Sequence, residues 1–136
     1  MAKNAPRLRP GGDSPLNGTV VSSLLHYKVV LGASDTTVRI YDSSGTESSE
    51  GAPHGLEVVD AYVVMNGAGA ASDAVKITDG TSDITDDLDV SAAGDTDRVA
   101  FGEIDDANAT IAKGGQLYVV STSGALCDVH ILARAT

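Results

Sequence analysis

Short apolar runs rich in Val, Ile and Leu recur about every ten positions between stretches of Gly, Asp, Ser and Thr, and none repeats with the 3.6-residue period of a helix. That spacing constrains the chain more than any other feature. Strands this short bury apolar surface only by stacking in layers, so the expected fold is all-β: a jelly roll or related antiparallel β-sandwich. The candidate strands are 26–31, 36–41, 56–65, 74–78, 98–104, 116–122 and 126–133. In the last of them Cys127, Val129 and Ile131 face one way and Asp128 and His130 the other, the period of two that a half-buried strand requires. Segment 56–65 breaks that alternation. Val59, Ala61, Val63 and Met65 fall on one side, and Leu56, Val58, Tyr62 and Val64 on the other. It is therefore expected to be a central strand covered on both faces, by a loop or by a subunit interface. The glycine-rich stretch at 66–72 reads as a hairpin loop, and a helical turn is expected only near 105–109.

With 136 residues the chain suits one domain with one core, and its apolar residues are chiefly Val, Ala, Leu and Ile, with one Phe, four Tyr and no Trp. Charge is divided unevenly. Residues 1–28 hold Lys3, Arg7, Arg9 and Lys28 against Asp13, a net of +3, whereas the remainder carries five basic and eighteen acidic residues, a net of −13. The basic stretch also contains Pro6, Pro10, Gly11, Gly12, Pro15 and Gly18, which deny it a regular helix and favour an extended run. The expected organisation is an arm over residues 1–24 and a sandwich domain over 25–136. The overall charge of −10 argues against nucleic acid as a partner, because phosphates would repel the body. Cys127 is the single cysteine, so no disulfide can close within the chain. No run of about 20 apolar residues is present to form a membrane helix, and the first residues lack the apolar centre of a signal peptide, so the protein is expected to stay where it is made.

Residues that could carry chemistry do not combine into a familiar arrangement. Asp79, Asp83, Asp86, Asp87 and Asp89 offer hard oxygen ligands for calcium, but Gly80 follows the first Asp at once and no Glu closes an EF-hand loop. His26, His54 and His130 could join Cys127 around zinc, yet none sits at a paired short spacing. Cys127 and His130 lie three apart on a strand, on opposite faces. Ser43, Ser44, Ser48 and Ser49, with His54 and Asp60, hold the letters of a hydrolase triad without a nucleophile elbow. The glycines at 66–72 lack a Walker lysine and a following helix. Sequons at Asn17 and Asn108 matter only on a secretory route, and the absence of Trp disfavours a sugar platform. No catalytic residue, cofactor or metal is expected, and binding or structural work is favoured over enzymatic.

Residues 56–135 resemble the small head decoration, or cement, proteins of tailed bacteriophages. The pattern that carries the resemblance is the two-sided apolar strand, the following Asp-Ala-Val-Lys-Ile strand, the Asp-Ala-Asn-Ala-Thr-Ile stretch, the Gly-Gly-Gln-Leu-Tyr-Val-Val turn and strand, and the final Val-His-Ile-Leu strand. The resemblance implies a jelly-roll or related sandwich, often a homotrimer, bound to the major capsid protein on the capsid exterior at local threefold axes. It also implies an N-terminal arm that grips neighbouring capsid subunits, a role that Arg7, Leu8, Arg9 and Pro10 suit. The expected setting is the virion, after synthesis in the host cytoplasm, with no nucleic-acid or membrane partner. A tail or baseplate structural module, or a small carbohydrate- or calcium-binding module, are the other readings of the same pattern.

Overall fold

The computed structural model describes residues 24–43 and 50–136, so Arg7, Leu8, Arg9 and Pro10, with nearly all of the expected arm, lie outside the described residues. Among the described residues nine strands follow in order: β1 (Leu24–Leu31), β2 (Thr37–Tyr41), β3 (Leu56–Met65), β4 (Ala74–Thr78), β5 (Leu88–Asp89), β6 (Arg98–Ala100), β7 (Thr110–Ile111), β8 (Leu117–Ser121) and β9 (Cys127–Ala135). They form two antiparallel sheets, one ordered β1-β9-β3-β6 with β7 also on β3, the other β2-β8-β4-β5. The chain is an all-β sandwich, as the strand spacing requires.

The core lies between the sheets and is built by alternation. Cys127, Val129, Ile131 and Ala133 of β9 are all fully buried, as are Leu117 and Val119 of β8 and Val75 and Ile77 of β4. Each Val, Leu or Ile side chain withdrawn from water in this way contributes about 1.5–3 kcal/mol before the entropy of ordering is subtracted.

Strand β3 is central, as expected, and a β-bulge accounts for its two parities of apolar residues. Leu132 pairs with Asp60 but Ala133 pairs with Val58, so Val59 is an extra residue with no partner on β9. This β-bulge flips the side-chain parity within the strand. Leu56 and Val58 point inward before it, and Ala61, Val63 and Met65 point inward after it, all at most 2% exposed. Val59, Tyr62 and Val64 are left half-buried on the outer face. The apolar residues on both parities therefore serve one core rather than two.

The same bulge divides the far edge of β3. β6 pairs with Tyr62, Val63 and Val64, and β7 with Leu56 and Glu57. A single strand over 98–104 cannot follow an edge whose register changes midway, and it stops at Ala100, with Ile104 reaching only an isolated bridge to Thr85. The glycine-rich stretch at 66–72 is a crossover rather than a hairpin. β9 and β6 already occupy both sides of β3, so the chain must pass to the other sheet to begin β4. Gly69 allows the passage, because a Cβ there would strike the Val90 carbonyl oxygen. Near 105–109 the expected helical turn is a single β-turn. The Asn108 N–H donates to the Asp105 carbonyl at 2.9 Å while the Ala107 N–H donates to the Asp105 carboxylate, an Asx arrangement that ends there.

Candidate functional site

On the outer face of the five-stranded sheet, side chains from four strands stand in one file. The Arg98 guanidinium of β6 lies 4.0 Å from the centroid of the Tyr62 ring of β3. Tyr62 stacks on His130 of β9 with centroids 4.6 Å apart and an interplanar angle of 8°. His130 in turn meets His26 of β1, with Nδ1 of His130 and Nε2 of His26 2.8 Å apart in a hydrogen bond. Registry explains the file. Tyr62 is the direct cross-strand partner of His130, Arg98 pairs with Val64 one step along β3, and His26 sits diagonally across from His130. Because a strand presents alternate residues to one face, Val30, Val64 and Leu132 flank the file, and Val30 is 59% exposed.

The face is bordered by charge. Lys28 Nζ lies 3.7 Å from the Asp128 carboxylate, which also accepts from the Asn66 amide at 2.7 Å, and Arg134 pairs with Glu57 at 3.2 Å. Partial burial holds His130 below the ordinary histidine range, His26 adds to the effect, Lys28 and Arg98 push the same way, and Asp128 opposes them. A planar cation, a phenol and two imidazoles with aliphatic neighbours make a preorganised surface that offers shape, stacking and hydrogen-bond donors.

The residues singled out from sequence as possible chemistry are dispersed. His54 turns onto the Gly55 carbonyl and Asp60 onto the Ala61 N–H, while Ser44, Ser48 and Ser49 lie outside the described residues. Asp79 accepts from the Thr81 and Ser82 N–H groups in the turn after β4, Asp83 pairs with Lys76 at 3.1 Å, and Asp89 accepts from both the N–H and the hydroxyl of Ser91. Asp83 and Asp86 also open onto a cleft of about 330 Å³ with Glu103, Asp105 and Asp106. Among the described residues, no three His, Cys, Asp or Glu side chains gather closely enough to hold a metal ion. Elsewhere Asp42, 5% exposed, accepts from the Tyr118 hydroxyl at 3.0 Å and faces Arg39 at 2.7 Å, and burial followed by this carboxylate raises the Tyr118 phenol above its ordinary value.

Cys127 faces the core, opposite to His130. Burial first, then the neighbouring Asp128 and Asp73 carboxylates, push its thiol up to about 11. A thiol held this far above neutral pH is not a nucleophile in the folded state. We expect a water-soluble thiol reagent to leave native Cys127 unmodified on the timescale in which it labels the urea-unfolded chain. Cys127→Ala is expected to cost about 1 kcal/mol, or somewhat more if a void remains, as read from the urea midpoint.

Tyr62 and Arg98 do not stand out in the sequence as part of a site, and His26 and His130 enter there only as possible zinc ligands. The outward parity of His130 is readable from alternation, but that of Tyr62 depends on the bulge at Val59, and the meeting of His26 with His130 joins residues 104 positions apart and depends on which strands are neighbours. No family model, curated protein or solved structure matches the chain.

Proposed function

We propose that the chain is a capsid decoration, or cement, protein of a tailed bacteriophage, acting as a homotrimer on the outer surface of the head at local threefold positions and bridging subunits of the major capsid protein. The observation that carries the reading is the outer sheet face, where Arg98, Tyr62, His130 and His26 are already stacked in a file across four strands. A cement protein works by complementarity over a broad surface, and ordering Arg and Tyr anchors before contact reduces the entropy lost on docking. The resemblance of residues 56–135 to such proteins, and the division between a +3 stretch at 1–28 and a −13 remainder, support the same reading. A basic arm tethered to a docked body binds at high effective concentration, so a weak grip by Arg7 and Arg9 adds appreciably to the whole.

The experiment is co-sedimentation of the full chain with expanded heads assembled from the major capsid protein of the same phage. Saturable binding in multiples of three copies is expected. Tyr62→Ala combined with Arg98→Ala should weaken it about tenfold or more, the effect of losing two anchors from the middle of an interface. Binding to isolated tails instead of heads, or to neither, overturns the proposal.

A further inference from the structure

We propose that the hydrogen-bonded pair of His26 and His130 is a proton-operated latch that holds the first half of edge strand β1 to β9. This inference concerns the sheet itself and is independent of what the face docks on. The two ring nitrogens are 2.8 Å apart, so one carries a proton and donates while the other accepts through its lone pair. The donor ring can take up one further proton at its far nitrogen and keep that bond, whereas the far nitrogen of the acceptor ring already carries its proton. A second proton leaves two N–H groups pointing at each other, and the bond is replaced by repulsion between two cations.

The groups around the pair sharpen the conflict. Lys28 on β1 and Arg98 on β6 oppose added positive charge, and Tyr62 on β3 is neutral and stacked on His130. Asp60 on β3 faces the same side and is engaged by the Ala61 N–H, while Asp128 on β9 favours charge but already holds Lys28 and Asn66. Because native His130 resists a proton that an unfolded histidine accepts near pH 6.5, the stabilising effect of the bond is complete above that value and is lost as the pH falls through the lower native value of His130.

The place where the loss is felt follows from the burial of β1. Its second half is anchored by Val29 and Leu31, which are buried, whereas Leu24 and His26 are exposed and Leu25 and Tyr27 only half-buried. Among the described residues β1 pairs with β9 alone within its sheet, and Tyr27 meets Tyr41 of β2 through a 3.2 Å hydroxyl contact and edge-to-face packing of the rings. The pair thus sits on the half of the strand with least core burial to replace it.

Amide exchange by NMR at about pH 7 and about pH 5, each corrected to its intrinsic rate, tests the latch. Protection over the first half of β1 is expected to fall several-fold more than protection in β8 on acidification. In His26→Gln, whose amide can both donate and accept, that differential should disappear, and His130→Gln should behave likewise. The two ring titrations in the wild-type protein should appear as separated steps. Equal loss of protection in β1 and β8, an unchanged differential in both glutamine variants, or overlapping single-step titrations of the two rings would each overturn the proposal.

Discussion

Gly124→Ala is expected to destabilise the sandwich by more than about 3 kcal/mol, enough to leave a domain of this size largely unfolded at moderate temperature. Gly124 lies in the link from β8 in one sheet to β9 in the other, with φ of 78°, where an L side chain is strained. A Cβ there would also run into the Ala33 carbonyl oxygen. Neither partner can yield easily. The Gly124 and Ala125 N–H groups donate to the buried Ser121 hydroxyl, both at 3.0 Å. Ala33 belongs to a turn closed by the Asp35 N–H on the Gly32 carbonyl and by the Gly32 N–H on the Asp35 carboxylate. The collision is therefore backbone against backbone, each side held by its own hydrogen bonds. Equilibrium urea unfolding reads the result, and an unchanged midpoint would mean that this link is not packed as described.

Ile131→Ala should cost about 3–5 kcal/mol, in the upper part of the range for such truncations. Ile131 is fully buried on β9, the strand with a partner on each side, opposite Tyr27 of β1 and Ala61 of β3. The cavity would open between strands that cannot close over it without breaking ladder bonds. The outward neighbour supplies the control, since Leu132→Ala is expected to cost about 1 kcal/mol or less. The same contrast probes the bulge. Val58→Ala and Val63→Ala, on opposite parities, should both be costly, while Val59→Ala and Val64→Ala should be mild. A strand without the bulge would place Val58 and Val64 together on one face, and their variants would then behave alike.

Those pairs show which parts of the fold were legible. The limits of β3 and β4 follow directly from apolar runs bounded by turn residues, and the facing of β9 follows from period-two alternation, because both signals are local. β5 and β7 are two residues each and leave no period to read. The bulge at Val59 is not legible in the sequence, because two parities of apolar residues look alike whether a strand is covered twice or kinked once. The segment at 66–72 looked like a hairpin because its Gly content signals a turn but not whether the next strand joins the same sheet. The candidate face was only half visible. Alternation places His130 outward, but the facing of Tyr62 depends on the bulge, and bringing Arg98, Tyr62, His130 and His26 into one file requires the strand order β6-β3-β9-β1, which is set by packing between distant segments. Asp79 and Asp89 illustrate the reverse case, since residues that suggest an ion in sequence hold turns through their own backbone neighbours.

The central claim is that this sandwich decorates a phage head, and electron microscopy of particles with and without the protein tests it most directly. Added density is expected on the capsid exterior at local threefold positions, sized for three copies of the sandwich, with the outer face of β1, β9, β3 and β6 turned toward the major capsid protein or a neighbouring copy. Heads that look the same in both preparations, or density confined to the tail or baseplate, would contradict it.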